Sequence, residues 1–373
     1  MTTTDRPRPT TAPNAGVRLD HADLVSFAAT LFQRRGVPVA RARRAAATLC
    51  YGDLAGLSSH GLANLTRLYL PLFEQGRVDP VAEPQVLTDL GACALVDARR
   101  ALGLWAAAEA MESAVARAAR HGIGLVSVRG GTHVGCAGAH ALVAADADMI
   151  GVVATNCGGQ RIARPPGGAL AMLGTNPLSV AAPALDGHPY VLDMSTTVVP
   201  TGRVREAARH GRAIPAGWLA DDAGATVTDP AAFDRGEAHL RWLGGEPDTG
   251  AFKGFGLGLA VELLAAALPG AQRGPAPAAL DGDGGPHGRD DDIGYLVLAI
   301  SPRALRPDAD TADTFRELFG TVLSCPPLPG RPPVRYPGWL EAERAAGHLR
   351  DGVPVADDLY GELVALGFTG GVH

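Results

Sequence analysis

Three consecutive stretches near the middle of the chain constrain its fold more than any others. Residues 123–131, IGLVSVRGG, read as a strand of the buried type. Residues 137–148, AGAHALVAADAD, read as a helix, and residues 149–156, MIGVVATN, as a second apolar strand. Strand, helix and strand in that order make an α/β architecture with at least partly parallel pairing, because the helix packs its apolar side on one face of the sheet. Segments 86–99, 177–184, 189–196 and 294–301 add further strands. Residues 102–122 form an amphipathic helix closing at Gly122, and 253–270 a long apolar helix.

The two ends of the chain read differently. Residues 20–36 open on an Asp cap, carry apolar residues at helical spacing and stop at Gly36; second and third helices follow over 37–56 and 63–78. Residues 314–325 and 339–366 return to helix. Helical ends around an α/β middle predict a helical lobe built from both termini, residues 17–80 plus 335–373, beside an α/β domain at 81–334. Within that domain, 271–292 is rich in Gly, Pro and Asp without periodicity and reads as a flexible loop. Residues 1–16, rich in Pro and Thr with no apolar segment, read as a disordered tail and not as a signal peptide.

Composition removes several functions. The 373 residues carry a formal net charge of −6 and no basic stripe, which argues against a nucleic-acid partner. No window approaches ~18 uninterrupted apolar residues, so no segment is expected to span a membrane, and a cytoplasmic location is expected. Cys50, Cys93, Cys136, Cys157 and Cys325 are widely spaced with no CxxC pair, the pattern of free thiols in a reducing compartment and not of a zinc site or disulfide framework. The carboxylates and His287 of the 271–292 loop have no spacing that aims them at one ion, so no metal is expected. Lys253 is the single lysine among 33 basic residues. Where arginine serves as the general cation, the remaining lysine marks a place where ammonium and guanidinium are not interchangeable.

Glycine clusters recur at strand ends. Residues 253–260, KGFGLGLA, give GxGxG and not GxGxxG, and no strand-to-helix unit with a later ribose-binding acid surrounds them. They read as glycines that let a helix pack tightly. Residues 129–140, 164–177 and 193–203 instead set Gly, Thr, Asn and Ser at three successive strand ends, where backbone N–H groups, hydroxyls and amides can meet phosphate or ribose oxygens. In DLAGLSSHGLANLTRLYL (53–70), His60 stands between serines and a glycine on an otherwise apolar helical surface. Taken alone it is either a core histidine or a proton donor.

Six motifs in order, SSHG (58–61), GTHVGCAG (131–138), LGTNP (173–177), VLDMSTT (191–197), FKGFGLGL (252–259) and VRYPG (334–338), resemble the malate/L-lactate dehydrogenase family of the non-Rossmann type. The resemblance runs collinearly from about residue 20 to 368. It implies a homodimer, a non-Rossmann NAD(P)-binding sheet domain and hydride transfer between NAD(P)H and a small 2-oxo acid or cyclic imine. By matching position, it makes His60 the proton donor with Ser59 beside it. Asp193, Ser195, Thr196 and Thr197 match the segment lining the cofactor, and Phe252 and Lys253 the aromatic–lysine pair that also contacts it. His133 and Thr175 match the substrate side of the cleft, and Asn176 and Gly338 the cofactor side. Reduction needs a hydride at carbon and a proton at oxygen or nitrogen; the protein supplies the geometry and the acid.

Two positions depart from the family pattern. An arginine usually follows the histidine by four residues, as a clamp for the substrate carboxylate; here Asn64 stands there, and Arg67 is a second family arginine able to compensate in part. Trp339 and Leu340 replace the Glu and Arg of PGER, which makes that region more apolar or packs it against a neighbouring helix. Both changes point away from malate or lactate toward a bulkier or less anionic biosynthetic substrate. A catalytically retired ligand-binding relative is the alternative of a different class. Arg161, Arg164 and Arg203 are each able to meet a 2′-phosphate, which leaves NAD and NADP open.

Overall fold

The α/β middle of the chain builds a seven-stranded mixed sheet in the computed structural model, which describes residues 16–371 except positions 247 and 309. The tail expected over residues 1–16 lies, apart from Gly16, outside the described residues. The strands are β1 (Gln85–Asp89), β2 (Cys93–Asp97), β3 (Ile123–Gly131), β4 (Ile150–Thr155), β5 (Leu178–Leu185), β6 (His188–Met194) and β7 (Ile293–Ile300). They lie side by side as β1-β2-β3-β7-β4-β5-β6. Parallel pairing is confined to β2 and β3. The strand–helix–strand unit spans β3 and β4, and β7, arriving late in the chain, inserts antiparallel to both. Every residue of β7 is buried or half-buried, as expected for a central strand between two packed layers.

The longer helices pack on this sheet and at the chain ends: α1 (His21–Arg34), α2 (Val39–Leu54), α3 (Gly103–His121), α4 (Ala137–Ala145), α5 (Thr201–Arg209), α6 (Ala251–Glu262), α7 (Thr311–Leu323), α8 (Trp339–Asp351) and α9 (Asp357–Ala365). Asp20 caps α1 by accepting from the Asp23 amide, and Gly122 ends α3 in the left-handed region at φ 81°. One apolar core runs without a break from Leu24 and Phe32 of α1 through Leu49 of α2, Trp105 and Met111 of α3 to Val126 and Val297 of the sheet.

The chain ends meet. Val17–Leu19 pairs antiparallel with Val353–Val355, Phe27 lies edge-on to Phe368 at 5.2 Å between centroids, and Thr66 donates to Glu362 at 2.6 Å. The helix expected over 339–366 is therefore two helices with a strand between them. Gly352, at φ 82°, ends α8, and the β-branched VPV run takes up the N-terminal edge. The third expected helix also differs. Residues 63–74 are helical throughout, but Leu65–Tyr69 within them is a wide π-type turn between α-helical residues 63–64 and Leu70–Glu74, an irregularity set just beyond His60. The 271–292 segment is tied down by its acids. Arg77 donates to Asp290 at 2.5 Å and to Asp291 at 2.6 Å, and Arg161 pairs with Asp283.

Candidate active site

His60 sits in a one-turn 3-10 segment, Ser58–His60, held against the end of α2 by two close approaches. A methyl on Gly52 would lie 2.8 Å from the Gly61 amide nitrogen, and one on Gly61 would lie 2.2 Å from Oδ2 of Asp53. The Asp53 carboxylate is buried and accepts from the Leu62 amide at 2.6 Å, fixing the exit of the turn. Asn64 donates from Nδ2 to the Ser59 carbonyl at 3.0 Å, fixing its start. A histidine clamped on both sides of its own turn is a preorganised one.

Two cavities meet at this turn. The front one, about 330 Å³, is lined by Asn64, Arg67, His133, Gln160 and Arg209 among others. The rear one, about 520 Å³, is lined by Gly135, Ala137, Asp193, Ser195, Arg203 and Arg344 among others. Ser58, Ser59, His60, Gly135 and Thr175 line both. Nδ1 of His60 lies 3.0 Å from Ser59 Oγ, a hydroxyl able to donate to it or accept from it as protonation requires. The His133 ring lies 6.1 Å from that of His60, 17° from parallel. Nδ1 of His133 accepts from the Gly135 amide at 3.2 Å and lies 2.8 Å from the Tyr69 hydroxyl, so in the neutral ring the proton is on Nε2.

Burial, with His133 adjacent, pushes His60 down from 6.5 to about 4, so at neutral pH its ring is uncharged. Asp193, at the end of β6, accepts from the Gly138 amide at 2.7 Å and so caps α4 across the sheet. Burial outweighs that bond and lifts its carboxyl to about 6.

Nine of the fourteen residues singled out from the sequence line one cavity or both: Ser59, His60, Asn64, Arg67, His133, Thr175, Asp193, Ser195 and Thr197. Five do not: three are taken up by packing and two are exposed. Thr196 is buried and donates from its hydroxyl to the Thr175 carbonyl at 2.9 Å. Asn176 is buried, its Nδ2 donating at 3.0 Å to both the Gly258 carbonyl and Glu262, which ties the strand end to α6. Gly338, at φ 93°, stands where a methyl would meet the Pro189 carbonyl at 2.7 Å, and so seats α8 on β6. Phe252 is 63% exposed and Lys253 is exposed beside it, on the outward side of α6. The glycines of that helix do pack closely: a methyl on Gly254 would lie 2.7 Å from the Thr196 carbonyl, and one on Gly258 2.9 Å from the Trp242 ring. Trp339 lines neither cavity; it stacks on His188 at 4.0 Å and donates to Glu343 at 2.8 Å.

The sequence profile of the malate/L-lactate dehydrogenase family matches residues 19–364. The chain belongs to the malate/L-lactate dehydrogenase family. It is 35% identical to a malate dehydrogenase of Pyrococcus abyssi over 68% of this chain and 69% of that one. It is 32% identical to the Δ1-pyrroline-2-carboxylate/Δ1-piperideine-2-carboxylate reductase of Pseudomonas putida, over 77% of this chain and 80% of the relative. The crystal structure of malate dehydrogenase from Entamoeba histolytica superposes with a TM-score of 0.86 at 25% identity, covering 94% of this chain and 97% of that one. The protein is accordingly an oxidoreductase; among its relatives are a ureidoglycolate dehydrogenase (NAD(+)) of Escherichia coli, 29% identical, and a (2R)-3-sulfolactate dehydrogenase (NADP(+)) of Chromohalobacter salexigens, 33% identical.

The rear cavity has the donor set such a dinucleotide needs. The N-terminal turn of α4 stands at its wall with the Ala137 amide, Arg203 and Arg344 line it, the latter 3.5 Å from Glu341, and the Asp193 carboxyl is an acceptor of the kind ribose hydroxyls need. Of the three arginines considered for a 2′-phosphate, Arg161 and Arg164 are paired with Asp283 and Asp222, and Arg203 lines the cavity with its guanidinium over Trp218. Two residues that support the site carry no signal in the sequence. Asp53 is one, since its partner is an amide nine residues on. His140 is the other, fully buried, with Nε2 donating to the Val134 carbonyl at 2.8 Å behind the His133 loop.

Proposed function

We propose that the protein transfers hydride between a nicotinamide cofactor and a C=O or C=N carbon next to a carboxyl or related group, with His60 moving the proton. The observation that carries this reading is the position of His60 at the junction of the two cavities. The dinucleotide-fitting cavity lies behind it, and in front lies a cavity walled by Arg67, Arg205 and Arg209 together with Glu206, Asp290 and Asp358. The nicotinamide ring, when bound, supplies the hydride. His60 delivers the proton to the substrate oxygen or nitrogen in reduction and takes it back in oxidation, while Ser59 Oγ holds Nδ1 in either state. His133 and Thr175 line the same space and orient the substrate. Asp193, Ser195 and Thr197 hold the cofactor.

Asn64 spends its amide on the Ser59 carbonyl and Arg67 donates to Glu362 at 3.2 Å, so neither is free to grip the carboxylate of a compact acid such as pyruvate. This supports a bulkier, biosynthetic substrate. The test is a side-by-side NADH and NADPH oxidation screen over 2-oxo acids and cyclic imines, with His60→Ala as control. Turnover of at least one compound, lost in the variant, is expected. Absence of thermal stabilisation by either cofactor overturns the reading. Arg203→Ala is expected to weaken binding of the accepted dinucleotide about tenfold, read by fluorescence titration, through loss of one charge-assisted contact.

A homodimer belongs to the same proposal. α6 and its continuation expose Phe252 at 63%, Leu263 at 66% and Leu268 at 57%, a face apolar enough to need cover. Sedimentation at twice the chain mass is expected, and Leu263→Glu is expected to shift it to the monomer.

A further inference from the structure

We propose that Tyr69, fully buried behind the site, is a positioning residue for the reaction. Its hydroxyl fixes His133 as a hydrogen-bond donor toward the substrate, which leaves proton exchange to His60 alone. The inference rests on the dehydrogenase reading above and separates the roles of the two histidines.

The two rings lie 6.1 Å apart and nearly parallel, but their Nδ1 atoms meet different partners. Nδ1 of His60 faces the Ser59 hydroxyl, which donates or accepts, so that ring gains and loses a proton with its partner kept. Nδ1 of His133 faces the Gly135 amide, which only donates, and the Tyr69 hydroxyl at 2.8 Å. A proton on that nitrogen would point at an N–H. Burial holds the Tyr69 phenol well above its usual range, so its own proton is there to donate at neutral pH. The His133 proton is thereby confined to Nε2, which makes no hydrogen bond among the described residues, and the residue lines the front cavity. A ring whose lone pair is spent on the protein offers a ligand a donor and not a base.

The chain is shaped to bring Tyr69 there. It closes the π-type turn Leu65–Tyr69, which holds one residue more than an α-turn. In an unbroken α-helix Tyr69 would stand about 100° further round the axis. Leu68, one residue earlier, lines the front cavity, whereas Tyr69 lines neither cavity and acts through His133. The loop after His133 is fitted to the phenol from the other side. A methyl on Gly135, at φ 78°, would lie 2.8 Å from Leu104 Cδ2 and 3.5 Å from the Tyr69 hydroxyl. Three titratable groups face the His133 ring: His60, Tyr69 and Asp290. Asp290 favours a proton on it against burial, and Arg77 takes up that carboxylate at 2.5 Å.

The test observes the ring directly, by nitrogen NMR of histidine-labelled enzyme saturated with NADH, with His133→Gln to identify the signals. At neutral pH the wild type is expected to show His133 protonated at Nε2 and not at Nδ1. Tyr69→Phe removes one of the two donors to the neutral ring, so the ring's pKa is expected to rise, by up to about one unit, the worth of one hydrogen bond. kcat is followed with pyruvate and with Δ1-piperideine-2-carboxylate. Tyr69→Phe is expected to lower it about tenfold, with NADH affinity unchanged. A glutamine amide reaches the place of Nε2 with a donor and has nothing at Nδ1. His133→Gln is therefore expected to keep roughly a tenth or more of kcat, and Tyr69→Phe to cost less than about twofold in that background. A wild-type ring protonated at Nδ1, a titration unmoved by Tyr69→Phe, or losses that multiply in the double variant overturn the proposal. If the ring behaves as expected and no 2-oxo acid or imine of the wider screen is reduced, the dehydrogenase reading fails and the placement of His133 by Tyr69 stands.

Discussion

His60→Ala is expected to lower kcat for reduction by roughly 10²–10⁴-fold, the usual contribution of a positioned general acid, and to leave cofactor affinity intact. The pH dependence makes the assignment sharper. In the free enzyme the ring is held near 4 by burial and by His133, so only a small fraction carries the proton at neutral pH. Reduction requires the protonated ring, and that fraction falls tenfold for each unit of pH above the ring's pKa. kcat/KM for reduction therefore falls about tenfold per unit from pH 5 to 8, because this parameter reports groups of the free enzyme. Oxidation requires the neutral ring, already dominant above pH 5, so its kcat/KM is flat over the same range. Asp193, lifted to about 6, titrates within this window, and it lines the cavity proposed for the cofactor. Saturating cofactor separates the two effects. A reduction rate indifferent to pH, or an alanine variant of undiminished kcat, removes His60 from the chemistry.

The elements legible in the sequence are those with local signals. α1 has its Asp20 cap, α3 its Gly122 stop, and β3, β4 and β7 are apolar runs whose composition needs no partner to be read as strand. What escaped was non-local. Val353–Val355 is three residues long and becomes a strand only because Val17–Leu19, at the other end of the chain, lies beside it. The place of β7 between β3 and β4 is likewise invisible in a strand–helix–strand pattern that it interrupts from more than a hundred residues away. In the site, the motifs located His60, Asp193 and Thr175 at the cavity walls but could not separate neighbours. Ser195 and Thr197 face the rear cavity and Thr196 between them turns inward, the alternation of an extended segment. Asn64 and Trp339 were legible as departures from a family pattern. Their contacts, with the Ser59 carbonyl and with His188, needed the fold.

Gly61→Ala is expected to cost about 3 kcal/mol of stability and most of the activity, because the new methyl meets the Asp53 carboxylate at 2.2 Å. Gly61 has φ −96°, open to any residue, so the constraint is space and not backbone conformation. The cost combines overpacking, about 1–3 kcal/mol, with displacement of the buried Asp53 carboxyl from the Leu62 amide, a hydrogen bond worth about 0.5–1.5 kcal/mol. The two losses share one cause and are not summed in full. Asp53→Ala alone also destabilises, by freeing the Leu62 amide, but it opens the volume the Gly61 methyl needs. In that background Gly61→Ala should cost less than half as much, a coupling of more than about 1 kcal/mol in a double-mutant cycle read by chemical denaturation. Protonation modulates the same contact. Burial raises Asp53 from 3.8 to about 7, so its favourable contribution is full below the unfolded value and is lost as pH rises through 7. The difference in stability between wild type and Asp53→Ala should therefore narrow from pH 5 to pH 8. Additive losses within about 0.5 kcal/mol, or a gap that widens with pH, would show that the turn carrying His60 is not held by this carboxylate.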